Sequence, residues 1–260
     1  MAEEYKTNVR EFGVAKAGNA TDEYEDSHLL DVAELSARSF LRAAPNRFAV
    51  ADGATESSFS KEWAKLLTRG FVRENPNLDL NTRDGRLKWL GQLQKEWHDL
   101  IPWGKISWFA EKKARAGAHS TFLGLELFAN KWRAWAVGDS VLFRVRDDNL
   151  KTKWPIENEE EFSNAPALLC SLESKNDVSD SVFRKTEDEY KANDIFILAT
   201  DALAHWFLAE YHGGGKPWIE LDKIRHATEF EYFVGQLRDN KSLRNDDTTL
   251  IIFRVRGSLL

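Results

Sequence analysis

The chain has 260 residues, 42% of them hydrophobic and 30% charged, which suffices for one sizeable core. Sixteen Phe and ten Trp exclude a disordered chain, and six Pro with 15 Gly exclude a fibrous one. Thirty-six Lys and Arg against 42 Asp and Glu leave a net charge of −6, without the concentrated basic surface that a nucleic-acid partner requires.

Met1 to Lys6 is charged and lacks the apolar stretch of a signal peptide. Phe48 to Ala51 is the first apolar strand-like run. Between Ser57 and Arg73, Phe59, Trp63, Leu66, Leu67 and Phe71 recur at helical spacing on one face. Arg83 to Leu100 repeats the rhythm with Leu87, Leu90, Leu93 and Trp97, and Ser107 to Arg115 predicts a third helix. Strands follow over Ser120 to Phe128, Trp132 to Val137 and Val141 to Arg146, separated by Ala129-Asn130-Lys131 and Gly138-Asp139-Ser140, which predicts a three-stranded antiparallel meander. From Asp147 to Asp180 the pattern loses its period, and Pro155, Pro166 and the acidic run around Glu157 to Glu161 mark a surface excursion. Asp194 to Ala199 is a strand, two helices are predicted between Asp201 and Arg238, and Thr248 to Val255 closes the chain as a strand. His212-Gly213-Gly214-Gly215 reads as a turn after a helix.

This is not the strict alternation of a parallel α/β sheet. It predicts an α+β domain over 1–260 with stacked antiparallel sheets and helices outside, without an interdomain linker. Cys170 stands alone, so no intrachain disulfide forms, and it is expected to be a small buried hydrophobe. No apolar run approaches the roughly 20 residues that span a bilayer. The expectation is a soluble, cytoplasmic monomer without nucleic-acid or membrane partners.

The informative feature is where the aspartates fall. Phe48-Ala49-Val50-Ala51 runs into Asp52, Trp135-Ala136-Val137-Gly138 into Asp139, and Ile195 to Thr200 into Asp201, while Asp246-Asp247 opens the last strand. If these strands are neighbours, four carboxylates converge at one edge of the core. Crowded carboxylates repel and raise one another's pKa, and a hard divalent cation such as Mg²⁺ or Mn²⁺ removes that penalty. Two such ions about 3.5–4 Å apart can aim a water at a phosphorus atom. Aspartate also suits turns, so each position alone says little. No phosphate-binding glycine loop, dinucleotide fingerprint, zinc-helix motif or nucleophile elbow is present.

At these aspartates the chain resembles the metal-dependent protein phosphatases, the PPM or type 2C-like family, as a divergent bacterial-type member. Short blocks match in the family's order from Lys16 to Val255: the acidic pair Glu25-Asp26, Val50-Ala51-Asp52-Gly53, Ser120-Thr121, Val137-Gly138-Asp139-Ser140, Leu198-Ala199-Thr200-Asp201 and Asp246-Asp247-Thr248-Thr249. The resemblance implies a four-layer α-β-β-α sandwich, two antiparallel sheets flanked by helices, with a flap over 147–180. It implies two Mn²⁺ or Mg²⁺ ions: Asp52 shared, Asp201 and Asp246 completing one site, and the Gly53 carbonyl with Glu25 or Asp26 the other. Asp139 would join Asp201 at a third, weaker site. The implied reaction is hydrolysis of phosphoserine or phosphothreonine by a metal-activated water, on phosphoproteins marked by a Ser/Thr kinase system.

The chain departs from the family at defined places. An Arg that grips the substrate phosphate, four residues before the acidic pair, is replaced by Thr21; Ala54-Thr55-Glu56 follows Asp52-Gly53, where relatives carry further glycines and a His proposed as general acid. The Arg of the V-G-D-S-R block is Val141, the Gly after T-D is Ala202, and the Gly before S-T is His119. His205 or His119 is then the candidate proton donor, with His205 carried alongside Asp52 and Asp201 as catalytic, and Arg47 and Arg144 are candidates for the phosphate grip. The same residues admit a pseudophosphatase that binds a partner, or a two-metal hydrolase of small phosphoesters.

Overall fold

A computed structural model describes residues 9–31, 46–73, 78–163 and 165–255. The charged segment Met1 to Lys6 lies outside them. Two five-stranded antiparallel sheets form the centre. The first runs β1 (Arg10–Val14), β12 (Thr248–Arg254), β11 (Ile195–Ala199), β7 (Val141–Arg146), β8 (Asn149–Trp154). The second runs β10 (Arg184–Glu189), β6 (Lys131–Val137), β5 (Phe122–Phe128), β3 (Asn46–Ala51), β2 (Ser27–Asp31). A two-residue pair, β4 (His119–Ser120) and β9 (Leu169–Cys170), lies beside them.

Alternation along the central strands sorts their side chains between two cores. In β11, Phe196 and Leu198 face the other sheet, while Ile195, Ile197 and Ala199 face helices. In β3, Phe48 and Val50 face the other sheet and Ala49 faces helices. Phe253 of β12 stacks on Phe48 of β3 at 4.2 Å between ring centroids and so ties the two sheets. Because both faces are covered, these strands read as continuous apolar runs rather than as alternating ones.

Helices cover the outer faces. On the second sheet lie α1 (Ser60–Val72), α2 (Arg83–Leu100) and α3 (Trp108–Arg115), sharing a core that includes Trp63, Phe71, Trp89, Leu93, Ala114, Phe122 and Trp135. On the first lie α4 (Asp201–His212), α5 (Pro217–Lys223) and α6 (Ala227–Asp239), packed through Leu203, Phe207, Leu221 and Phe230. The helix ends follow local chemistry: the Thr82 hydroxyl accepts from Gly85 N at α2, and Gly213 and Gly214 (φ +88°) follow α4. This is the expected four-layer α-β-β-α sandwich. Among the described residues no helix is long and apolar enough to cross a membrane.

Four expectations change. The run Ser120 to Arg146 is not a single meander: β5 and β6 form a hairpin, but β7 leaves for the other sheet, where it pairs with β11 and β8. Gly138, at φ +99°, turns the chain between sheets rather than back along one. Ser120 to Phe128 is interrupted at Thr121, and the last helical region holds α4, α5 and α6 rather than two helices. The excursion from Asp147 begins with β8, an edge strand of the first sheet. Cys170 is buried, as expected of a small hydrophobe.

Candidate metal centre

The aspartate-bearing blocks meet where the two sheets come together, and their short polar residues lock them to one another. Asp52 leaves β3 with its carbonyl accepting from Ser120 Oγ at 2.8 Å and Thr121 N at 2.9 Å, while its own N–H donates to Thr121 Oγ1 at 3.0 Å. Thr121 Oγ1 is in turn 3.0 Å from Ser140 Oγ. A Cβ on Gly138 would stand 2.7 Å from Thr121 Cγ2, so the turn carrying Asp139 closes on this threonine only without a side chain. Gly53 is fitted just as closely: a Cβ there would meet the Glu25 carbonyl oxygen at 2.7 Å.

A second knot ties the remaining blocks. Asp26 is 2% exposed, and its Oδ2 accepts from Thr200 Oγ1 at 2.9 Å and Thr249 Oγ1 at 2.6 Å. Tyr24 Oη donates to Thr249 Oγ1, completing a relay of hydroxyls. Asp247 binds the backbone of Lys16 and Glu25, and Glu25 Oε1 accepts from Ser60 Oγ at 2.7 Å. Arg238 donates to the Ala15 and Asp246 carbonyls.

Around these knots opens a cleft of about 870 Å³, lined by Asp52, Gly53, Asp139, Asp201 and Asp246. His119, Lys113 and Arg244 also line it, as do Ser163, Pro166 and Leu168 from the excursion. The carboxylates act on one another. Burial first, then the charges of Asp26, Asp201, Asp246 and Asp139, push Asp52 well above the usual carboxylate range. Burial pushes Asp26 to about 8 against the hydroxyls of Thr249 and Thr200. Asp139 is raised to about 7 by burial and Asp201, and Asp201 to about 6 by burial and Asp246.

Among the described residues no three carboxylate, imidazole or thiol side chains are gathered closely enough to hold a metal ion as the chain stands. The donor set nevertheless fits a hard divalent cation in kind: oxygen ligands lining one cleft, with Asp52, Asp139 and Asp201 held at raised pKa by burial and by neighbouring carboxylate charge that such a cation offsets. Asp26 Oδ1 is a buried oxygen with no hydrogen-bond partner, an atom that ordinarily demands one.

Asp52, Gly53, Asp139, Asp201 and Asp246 are therefore brought to one cleft. Asp26 and Glu25 lie behind it, bonded to its supporting residues. His205 lies one turn along α4 from Asp201, its ring 5.5 Å from Phe162, and is not among the cleft-lining side chains. His119 is. Arg47 and Arg144 are committed elsewhere: Arg47 to Glu126 and the Phe71 carbonyl, Arg144 to Asp188 and the Glu189 carbonyl. Arg244, which carries no motif of its own, also lines the cleft. Its signal was its place two residues before Asp246, a cation inside a carboxylate block.

No family profile matches the sequence, and no curated protein does. Solved structures do match in fold. A bacterial serine phosphatase aligns at a TM-score of 0.64 with 12% identity, covering 98% of this chain and 100% of its own. The serine/threonine phosphatase Stp1 from Staphylococcus aureus aligns at 0.61 with 14% identity, covering 99% and 98%. The catalytic domain of the serine/threonine phosphatase PstP, in complex with two manganese ions, aligns at 0.58 with 15% identity, covering 96% and 99%. The described residues thus have the fold of the type 2C-like phosphatases.

Proposed function

We propose that the protein is a metal-dependent phosphatase of the type 2C-like family, hydrolysing phosphoserine or phosphothreonine in proteins with Mn²⁺ or Mg²⁺. The observation that carries this is the meeting of Asp52, Asp139, Asp201 and Asp246 in one cleft of a fold shared with serine/threonine phosphatases. A Ser/Thr kinase that writes the same marks is its expected counterpart.

Asp52 would hold two ions at once, with Asp201 and Asp246 at one and the Gly53 carbonyl with Glu25 or Asp26 at the other. Asp139 and Asp201 would hold a third. The ions, when bound, supply Lewis-acid activation of water and charge for the phosphoryl oxygens. The chain's own residues do the rest. The Ser120-Thr121 backbone fixes Asp52 and Gly53 in place. His119, in the cleft, donates a hydrogen bond toward the leaving oxygen; burial and the charge of Lys175 lower its pKa and favour the neutral ring. Segment 147–180, from which Ser163, Pro166 and Leu168 reach the cleft, would act as a flap that shapes substrate access.

The test is phosphate release from a phosphothreonine peptide in Mn²⁺, in chelator, and with Asp201→Asn. Release that needs both the ion and Asp201 supports the enzyme. Absence of release from protein shown to bind Mn²⁺ favours the alternative, a partner-binding module of the same fold.

A further inference from the structure

We infer that Arg244 is the phosphoryl-binding group of the cleft, taking the substrate's phosphate dianion in place of the arginine that Thr21 replaces. The inference rests on the phosphatase reading and deepens it. A phosphomonoester at such a centre presents non-bridging oxygens that need donors besides the ions, and a planar guanidinium matches two of them at once.

Arg244 has the placement for this. It lines the cleft beside Asp139, Asp201 and Asp246. Yet among the described residues it forms no side-chain hydrogen bond and no ion pair within 4.0 Å, so its donors stay free for a ligand. Arg47 and Arg144 are spent in ion pairs with Glu126 and Asp188, and the cleft's remaining long cation, Lys113, lies 5.3 Å over the Phe109 ring.

The backbone under Arg244 is anchored on both sides. Leu243 is buried and its N–H donates to the Leu237 carbonyl. Asn245 Oδ1 accepts from Ala17 N at 2.7 Å, and its Nδ2 donates to the Ala17 carbonyl at 3.2 Å. Asp246 N donates back to the Arg244 carbonyl at 3.0 Å, and Arg238 holds the Asp246 carbonyl. An exposed arginine on a loop tied this firmly loses little backbone freedom when it closes on an anion.

The test titrates inorganic phosphate by calorimetry into Mn²⁺-loaded wild type, Arg244→Ala and Arg244→Lys, and titrates Mn²⁺ into each chelator-treated protein. Arg244→Ala should weaken phosphate binding at least about tenfold, the loss expected for a charge-assisted contact. Arg244→Lys should recover part of it. Mn²⁺ should bind the Ala variant as tightly as wild type or more so, because a positive charge has left the carboxylate cluster. A phosphate Kd within about twofold of wild type in Arg244→Ala overturns the inference, given the size of the contact at stake. Loss of phosphate and Mn²⁺ affinity together also overturns it, marking a merely structural residue. If Arg244-dependent phosphate binding is found but no phosphopeptide is hydrolysed, the grip stands and the hydrolase reading falls. If Mn²⁺-loaded wild type binds no phosphate, the grip falls whatever the peptide assay gives.

Discussion

Thr249 donates its hydroxyl to Asp26 Oδ2 over 2.6 Å, joining residues 223 positions apart in the chain. With Thr200 on the same oxygen and Tyr24 behind Thr249, this contact holds the acidic pair against the strand ends that carry Asp201 and Asp246. The threonines of these blocks are thus fasteners for the carboxylate cluster.

Thr249→Val keeps the shape and removes the donor, leaving a buried carboxylate with one hydroxyl instead of two. It should lower stability by about 1–3 kcal/mol. Urea unfolding measures this, and a change below about 0.5 kcal/mol, the scale of an ordinary surface substitution, contradicts the fastening role.

The raised carboxylates set a pH dependence for the metal-free protein. Asp26 titrates near 8 folded, against an ordinary carboxylate value of 3.8. Between those limits the folded state keeps a proton that the unfolded state has lost, so stability is fully present below the lower value and falls as pH rises through the upper one. Asp139 at about 7 and Asp201 at about 6 add the same sign over narrower windows. Thermal unfolding in chelator should therefore give a Tm that declines between about pH 5 and pH 8, with Asp26→Asn flattening the slope. A Tm that rises over that interval, or an unchanged slope in the variant, contradicts this electrostatic account.

Gly53→Ala places a Cβ 2.7 Å from the Glu25 carbonyl oxygen and 3.1 Å from the Ser60 carbonyl carbon, both backbone atoms. The acidic pair and Asp52 must then move apart. Phosphate release should fall about 10- to 100-fold, the effect of sub-ångström misplacement at a reacting centre. Activity within twofold of wild type would show that this close approach does not matter to the site.

The two histidines separate cleanly. His119 lines the cleft and His205 does not. His119→Ala should reduce kcat by about 100-fold or more if it serves the leaving group, while His205→Ala should leave kcat near wild type. The reverse pattern moves the leaving-group role to His205.

The sandwich was legible because its central strands are covered on both faces. Ile195 to Ala199 and Thr248 to Phe253 have no reading other than buried strands. The aspartates were legible because each ends such a run. Edge strands were not: Arg184–Glu189 is polar along its whole length and is a strand only through its ladder with β6. Nor was the departure of β7, since Gly138-Asp139-Ser140 has the composition of a hairpin turn and periodicity carries no information about which sheet comes next. Arg47 and Arg144 looked available because their partners Glu126 and Asp188 are far away in sequence. Arg244 was hidden in a turn whose anchors, Leu237 and Ala17, come from other parts of the chain.

If Asp52 is the shared ligand of a multi-ion centre, Mn²⁺ stoichiometry measured by calorimetry on wild type and Asp52→Asn will register it. At least two ions should bind per wild-type chain, with both lost or greatly weakened by the single substitution while the fold survives. One ion or none in wild type, or two ions undisturbed in Asp52→Asn, would contradict it.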